Sequence, residues 1–320
     1  MLKTDTSQIL DVLATLYDEG QQHTGGKVAS YIPQLAKIDP NHFAVSVCFV
    51  NGESHSWGDS GDDFCIQSVC KPINYALALE QHGEQRVHQH VGFEPSGSMF
   101  NALSLNRQVI PHNPLINSGG IMTCSLLYPE EALPERFDLL RQQWRRLCGT
   151  KPGFDNAVYQ SERLTAHRNF ALAYFMQEHQ AFPEGTRLED TLELYFQSCS
   201  LTLTTPDLAR LGALLAHGGT LPGQKESVLK RSTVRDVLTL MSTCGMYNYS
   251  GEFAFRIGLP AKSGVSGALM VVVPGLLGLA IWSPPLDEYG NTVRGVRFCQ
   301  DLVKALPLHA YERWPSLPWA

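Results

Sequence analysis

The stretch FCIQSVCKPINYALALE, residues Phe64 to Glu80, decides how the chain is organised. Its first residues, Phe64 to Ile66, predict a short buried strand, and the apolar residues after Ser68 recur at helical spacing. Pro72 fits the first turn of such a helix, because an N–H at that position would have no intrahelical partner. The stretch therefore predicts a strand followed by a helix, with Ser68 at the helix N-terminus and Lys71 one turn further on the same face.

Ser68 and Lys71 form a Ser-x-x-Lys motif, which places a nucleophile beside a base. The free N–H groups at a helix N-terminus also suit a developing oxyanion. By itself the motif is weak, because roughly one copy arises by chance in such a chain, and Ser68 could equally be a helix N-cap with a solvated lysine nearby. A second copy, Ser227 to Lys230, follows a turn and has no apolar strand before it, so we interpret it as fortuitous.

Composition limits the classes of protein to which the chain can belong. Its 320 residues are 43% hydrophobic and 18% charged, as in an ordinary globular protein. A net charge of −6 without a basic run argues against nucleic acid as a partner, and no apolar run is long enough to cross a membrane. The N-terminal residues have a helical apolar period, unlike a signal peptide. The eight cysteines lack C-x-x-C or Cys/His ligand spacing, which predicts reduced thiols, a cytoplasmic location, and neither a metal site nor a cofactor.

The rest of the chain predicts strands near both ends and helices between them. Alternation over Phe43–Val50, an Asn51-Gly52 turn and a return strand indicate a hairpin. Further strands are predicted at Phe253–Ile257, Ala268–Val273 and Leu277–Trp282. The predicted helices are one capped near Thr6 or Ser7 and others at about 134–147, 161–178, 188–198, 206–216, 233–242 and 293–306.

This order of elements predicts an α/β (α+β) fold with a mixed, largely antiparallel sheet flanked by helices and a mainly helical insertion. The antiparallel hairpins argue against a doubly wound parallel sheet. We expect residues 1–100 and 245–320 to form a mixed α/β domain and residues 101–244 a mainly helical domain. Together they would make one catalytic unit.

A second motif, Lys262-Ser263-Gly264, lies between two of the predicted strands. Ser-x-x-Lys followed much later by lysine, a small hydroxyl residue and glycine is the order found in serine acyl-transferases of the β-lactamase type. A glycine at the third position lets a substrate approach the strand backbone closely. The two motifs together therefore indicate acyl-transfer chemistry and a β-lactamase/transpeptidase-like fold more strongly than either does alone.

The sequence resembles the serine-dependent glutaminase family, whose catalytic domain is related to β-lactamases. Seven segments carry the resemblance, in order along nearly the whole chain. They are Gly26–Leu35, Ile66–Ser68 with Lys71, Asn113–Gly119, Ser161–Glu162 with Arg168–Asn169, Tyr195–Ser200, Cys244–Tyr247 and Gly258–Val265. The departures from the family pattern, at Ser118, Gly120, His167, Ser266 and Ala268, fall on no residue expected to touch substrate.

The resemblance implies a glutaminase, an amidohydrolase that converts L-glutamine to L-glutamate and ammonia. Ser68 would attack the side-chain amide carbon and Lys71 would take its proton; an acyl-enzyme would form as ammonia leaves, and water would then release glutamate. The N–H groups of Ser68 and Val265 would form the oxyanion hole, and Tyr247 and Lys262 would complete the catalytic set. The substrate-binding residues implied are Tyr31, Ser68, Asn117, Glu162, Asn169, Tyr195, Tyr247 and Val265.

The residue types suit this substrate independently of the resemblance. A free amino acid carries an ammonium, which Glu162 can pair with, and a carboxylate, for which Asn117 and Asn169 are neutral donors. Lys71 must be neutral to act as a base, and burial beside Lys262 would lower its pKa. Taken singly, each of these residues has a plainer interpretation as a surface, core or turn residue.

Two other functions stay open at this point. One is a β-lactam-binding serine hydrolase or peptidase, although such enzymes act outside the cytoplasm and we expect no export signal here. The other is a catalytically silent glutamine-binding protein, against which the presence of both Ser68 and Lys71 argues. The expected partners are L-glutamine and further copies of the chain in a homodimer or homotetramer, with no nucleic acid and no membrane.

Overall fold

The computed structural model describes residues 6–30, 32–99 and 101–312. Its strands are β1 (Ala44–Phe49), β2 (Ser54–Gly58), β3 (Phe64–Cys65), β4 (Gly153–Phe154), β5 (Leu201–Leu203), β6 (Ala261–Ser263), β7 (Ala268–Val273) and β8 (Leu277–Trp282). Its helices are α1 (Thr6–Gly20), α2 (Cys70–His82), α3 (Glu84–Val87), α4 (Asn117–Leu126), α5 (Leu133–Cys148), α6 (Asn156–Thr165), α7 (His167–Glu178), α8 (Leu188–Cys199), α9 (Thr205–Ala216), α10 (Arg231–Cys244), α11 (Ser250–Arg256) and α12 (Val293–Ala305).

Two antiparallel sheets organise these elements. The larger has the strand order β2-β1-β8-β7-β6, and the smaller has the order β3-β5-β4. Every neighbouring pair in both sheets is antiparallel. The mixed, antiparallel, helix-flanked fold predicted from the sequence is therefore confirmed.

Both faces of the larger sheet are buried at β1, β8, β7 and β6, whereas β2 is mostly exposed. Side chains along each strand point to the two faces in turn. On β7, Leu269 and Val271 join a core that includes residues of α1 and α12, whereas Met270 joins the opposite core with residues of α9 and α2. Helix α9 packs closely on the second face: a Cβ atom built on Gly212 would lie 2.9 Å from the Cα of Gly278 on β8. The sheet thus separates two apolar cores.

The larger sheet takes its strands from the two ends of the chain, and helices α2 to α11 come between β2 and β6 in the sequence. No helix in the described ranges combines the length and apolar character needed to cross a bilayer. The division of the chain into a mixed domain and a helical domain stays a prediction.

Three local predictions are corrected by the structure. Phe253 to Ile257, predicted as a strand, lies at the end of α11: Phe253 and Ile257 are buried four residues apart, and Phe255 between them is 84% exposed. The helix predicted at 161–178 is two helices, separated at Ala166, where ψ is 27°. The hairpin loop has three residues instead of two, because the Phe49 N–H already donates to Glu53 O at 2.8 Å.

Candidate active site

Ser68 lies in a single 3-10 turn, Gln67–Val69, between β3 and α2. The backbone of Gln67 is left-handed (φ 47°), a conformation that costs a residue other than glycine roughly 1–3 kcal/mol. The turn leaves Ser68 largely buried, at 8% exposure. Val69 is the N-cap of α2, with no side-chain cap bond. Ser68 therefore stands just before the helix, as predicted, but it does not serve as the helix cap.

Lys71, in the first turn of α2, is buried against the Ser68 hydroxyl. Its Nζ lies 2.9 Å from Ser68 Oγ and 2.8 Å from Asn117 Oδ1, and only 2% of the side chain is exposed. Burial lowers the pKa of Lys71, an effect that nearby thiols and Glu162 partly oppose. A neutral amine next to a hydroxyl can accept its proton, so the geometry suits a nucleophile and its base.

Lys262 is fully buried on β6, and its Nζ lies 4.5 Å from the centroid of the Tyr247 ring. Burial, and then repulsion by Lys71, hold the pKa of Lys262 well below its ordinary value. The sequence placed Lys262 and Ser263 between two strands, whereas they form the edge strand itself. A short edge strand of this kind escaped prediction because three residues carry no clear alternation.

Tyr247 contacts both β6, the strand that carries Lys262, and the Ser68 side chain. Its hydroxyl donates to Ser263 O at 3.2 Å and is hydrogen-bonded to the Ser68 side chain. Burial raises the pKa of the Tyr247 phenol, and the bond to Ser68 partly opposes this. Tyr247 therefore keeps its proton at neutral pH and can donate it.

Val265 is brought to the nucleophile by a close backbone contact. A Cβ atom built on the preceding Gly264 would lie 2.7 Å from Ile66 O, a separation that no ordinary side chain tolerates. Glycine at this position therefore lets the end of β6 pack directly on the turn that carries Ser68. Val265 itself is 5% exposed.

Glu162 supplies a buried carboxylate. It lies in α6, whose N-terminus is capped by Asp155 through bonds from the N–H groups of Ala157 and Val158. Glu162 is 7% exposed and accepts a hydrogen bond from Gln67 Nε2 at 3.3 Å, yet it has no ion-pair partner within residues 6–30, 32–99 and 101–312. Burial raises the pKa of Glu162 to about 7, and Gln67 and Lys71 act in the opposite direction. A buried carboxylate without a cation is a site for one.

A chain of two amides lies next to Lys71. Asn117, the first residue of α4, accepts from Lys71 with Oδ1 and donates through Nδ2 to Asn169 Oδ1 at 3.0 Å. Among the residues described, Asn169 Nδ2 has no protein acceptor. This amide can therefore donate to a bound carboxylate. The ring of Tyr195, on α8, closes the other side, with its centroid 5.8 Å from Lys71 Nζ.

The remaining predicted residue, Tyr31, lies outside the described residues. The neighbouring segment, Gly26–Ser30, lines a cavity of about 730 Å³ together with Leu286–Gly290. Tyr247 and Val265 also line it, so the cavity adjoins the site.

The second Ser-x-x-Lys motif has none of this environment. Ser227 is exposed and its hydroxyl donates to Leu229 O at 3.0 Å. Lys230 is exposed and pairs with Glu80 at 3.7 Å. The two motifs therefore differ in burial and in hydrogen-bond partners.

One group of three metal-ligand types occurs in the described part of the chain: His42, Asp59 and Asp62. Asp59 and Asp62 are exposed and His42 half-buried, and none of the three belongs to the site around Ser68. Exposed acidic groups of this kind are common without an ion, so we do not assign these three residues as a metal site.

Gln67 is the site residue that the sequence analysis missed. Its side chain is 3% exposed and donates to both Glu162 Oε2 and Cys199 O at 3.3 Å. The only sequence signal was its place within the Ile66–Ser68 segment. Its partners are 95 and 132 residues away in the chain, so no local pattern could have shown the role.

Replacing Gln67 tests this contact. Gln67→Met keeps the shape but removes the donor to the Glu162 carboxylate, so the pKa of Glu162 should rise above its present value of about 7. Less carboxylate is then available at neutral pH, and KM for an ammonium-bearing substrate is expected to increase, most strongly below pH 7. Measuring KM against pH for both proteins checks this; an unchanged KM profile would show that Gln67 does not control Glu162.

Comparison with known proteins establishes the family. A family model described as Glutaminase matches residues 26–311. The chain belongs to the glutaminase family. The family and the fold class predicted from the sequence are therefore both confirmed.

Relatives resemble this glutaminase-family chain along nearly its whole length. It is 42% identical over 312 residues to a glutaminase of Nostoc sp., covering 97% of this chain and 92% of that one. It is 46% identical over 298 residues to the mouse protein "Glutaminase liver isoform, mitochondrial", covering 93% of this chain and 50% of that one. The chain thus spans about half the length of the animal relatives it matches.

Solved structures agree with these matches. The structure of a probable glutaminase, ybaS, superposes with a TM-score of 0.90 at 34% identity and covers 96% of this chain and 99% of that one. A crystal structure of Mglu in its glutamate form has a TM-score of 0.87 at 35% identity and covers 93% of this chain and 69% of that one.

Proposed function

We propose that this glutaminase-family protein hydrolyses L-glutamine to L-glutamate and ammonia through an acyl-enzyme on Ser68. One observation carries the proposal: Ser68 Oγ lies 2.9 Å from the Nζ of the buried Lys71. The names of the relatives support the reaction, and a glutamate form of Mglu supports the product.

Acylation begins with a neutral Lys71. The lone pair of its amine accepts the Ser68 proton, while one of its N–H groups donates to Asn117 Oδ1, which holds the amine in place. Ser68 Oγ then attacks the side-chain amide carbon of glutamine. The N–H groups of Ser68 and Val265 receive the negative charge that develops on the amide oxygen.

Ammonia leaves when its nitrogen gains a proton from the site. Tyr247 is the donor next to Ser68, and its raised pKa keeps that proton in place until then. The Nζ of Lys262 lies against the face of the Tyr247 ring and so helps to hold the phenol in position. The Tyr247 phenolate then takes back a proton, supplied by the Lys71 ammonium, so that both groups return to their starting states. Water attacks the ester on Ser68 with the neutral Lys71 again as base, and the proton that Lys71 takes passes to Ser68 Oγ as glutamate leaves, which restores the hydroxyl.

Recognition of a free amino acid follows from the charges around Ser68. The substrate ammonium pairs with Glu162, whose carboxylate lacks a cation among the described residues. The substrate carboxylate accepts from Asn169, with Asn117 orienting that amide. Tyr195 lines this pocket. The resemblance implies Tyr31 as a further substrate-binding residue, and Tyr31 lies outside the described residues.

The deciding assay measures ammonia release from L-glutamine with nitrocefin turnover run beside it. Ammonia release without nitrocefin turnover is the expected result. Nitrocefin turnover alone would assign the chain to β-lactam chemistry, and binding of glutamine without ammonia release would make it a silent binding protein.

Selection for a free α-amino group gives a further prediction. N-acetylglutamine lacks the charge that Glu162 pairs with, so its kcat/KM should fall at least ~10-fold below that of glutamine, the scale of a lost charge-assisted hydrogen bond. Glu162→Gln should shrink the gap between the two compounds, whereas Glu189→Gln, at an exposed position of α8, should leave it unchanged. Equal kcat/KM values for the two compounds in the wild-type protein would refute the role of Glu162.

Assembly and location complete the proposal. The chain is expected to act as a homodimer or homotetramer, which sedimentation velocity would measure directly. A cytoplasmic location is supported by its eight cysteines, all of which are free and buried.

A further inference from the structure

A second cavity, of about 180 Å³, lies at the carboxyl end of α4. It is lined by Arg136 of α5, Ser125 of α4 and the loop Pro183–Arg187. The opposite end of α4 carries Asn117 beside Lys71, nine residues away, or roughly 14 Å at the rise of an α-helix. The cavity is therefore separate from the site around Ser68.

Arg136 is the unusual feature of this cavity. Its side chain is 2% exposed, and it donates from Nε to Leu127 O at 3.1 Å and from Nη2 to Cys124 O at 2.6 Å. No carboxylate lies within ion-pair distance of it in residues 6–30, 32–99 and 101–312. A buried guanidinium without a counter-ion is costly. The carbonyls at the end of α4 supply only about half an elementary charge.

Other charged groups around the cavity offset the charge of Arg136 only in part: Asp190 favours that charge from beyond ion-pair distance, and Arg187 opposes it. Arg86 and Arg187 also line the cavity, and Arg187 is paired with Asp190 at 3.1 Å. Two carboxylates, Glu130 and Glu184, line it as well, but both are exposed. Water and salt screen such rim charges, whereas the charge of Arg136 acts in a low-dielectric environment. The field inside the cavity is therefore set by the buried arginine.

We propose that this cavity binds a small oxyanion, with Arg136 as its buried anchor and Arg86 at its mouth. The N–H groups of Arg136 that are not bonded to the α4 carbonyls lie in the guanidinium plane as a fork, which matches the spacing of carboxylate or tetrahedral oxyanion oxygens. The volume admits an ion of a few heavy atoms with a water or two, since each water takes about 30 Å³. The expected ligand is therefore a short carboxylate or a tetrahedral inorganic anion.

Calorimetric titration and thermal unfolding with sodium sulfate and with sodium acetate test the site, each against sodium chloride at equal ionic strength. Saturable one-to-one binding of sulfate or acetate is expected, with a rise in Tm that chloride does not produce. Sulfate binding alone would assign the tetrahedral class, and acetate binding alone the carboxylate class.

Variants locate the bound ion. Arg136→Met should abolish binding, and Arg86→Glu, an exposed change that keeps the α4 carbonyls bonded, should weaken it at least ~10-fold even where Arg136→Met fails to fold. Arg107→Gln, at an exposed loop arginine, should bind as the wild type does. The proposal would be overturned if neither sulfate nor acetate bound more tightly than chloride, or if binding were unchanged in Arg86→Glu. Loss of binding in Asn169→Ala would also overturn it, because the ion would then lie in the pocket of Ser68.

Discussion

Ser68→Ala is expected to abolish ammonia release from glutamine. The hydroxyl it removes is the group that forms the acyl-enzyme, and loss of a nucleophile of this kind costs on the order of 10³-fold in kcat or more. The substitution deletes one oxygen from a residue that is 8% exposed, so the fold should be retained. Circular dichroism and binding of glutamate would check that the pocket is intact.

The chain contains its own matched control. Ser227→Ala changes the serine of the second Ser-x-x-Lys motif, an exposed residue whose hydroxyl donates to Leu229 O. Ammonia release by this variant should equal that of the wild-type protein. Wild-type activity in Ser68→Ala would show that another group is the nucleophile.

Lys71→Arg is expected to be nearly inactive, with a loss of about 10³-fold or more. A guanidinium stays protonated at any working pH and cannot accept the Ser68 proton. In the wild-type protein, kcat should rise with pH through the lowered pKa of Lys71, because only the neutral amine is a base. Lys230→Arg, the equivalent change in the second motif, should retain activity.

The pH profiles of kcat and of kcat/KM separate Lys71 from Glu162. In the free protein the pKa of Glu162 is about 7. Because its carboxylate is needed to bind the substrate ammonium, kcat/KM should rise with pH as Glu162 loses its proton around that pH. In the bound complex the ammonium favours the carboxylate, and the kcat profile should report Lys71 alone. An active Lys71→Arg protein would make Tyr247 the next candidate for the base.

Lys262→Met tests whether Lys262 influences the pKa of Lys71. Burial is the main cause that lowers the pKa of both lysines, and repulsion by Lys71 lowers the pKa of Lys262 further. Because such repulsion acts on both partners, Lys262→Met should raise the pKa of Lys71 and move the kcat limb to higher pH. A limb displaced to lower pH would show that the base is a group other than Lys71.

The sequence by itself determined the parts of this protein that depend on local pattern. Apolar spacing located α5, α8, α9, α10 and α12, alternation located β1, and the change of period after Gly245 located β7 and β8. These elements bury one face or both, so their periodicity is a direct record of burial. The order of the two lysine motifs and the resembling segments then indicated the family that comparison confirmed.

Local pattern failed where tertiary packing overrode it. The residues of α11 alternate like a strand, yet the chain buries Phe253 and Ile257 on one helical face and leaves Phe255 in solvent. Ala166 interrupts a run of good helix formers. Such choices depend on neighbours that are distant in the chain, which a window of sequence does not contain.

Only the tertiary structure decided how the candidate site is charged. The contact of Lys71 with Asn117 spans 46 residues and that of Gln67 with Glu162 spans 95, and neither distance has a sequence signature. The sequence named Lys71 and Glu162, but their shifted pKa values arise from burial by elements that meet only in the folded protein. Desolvation is a property of the whole packed environment, and so the acid and base character of these residues is set by the fold as a whole and not by the segment in which each residue lies.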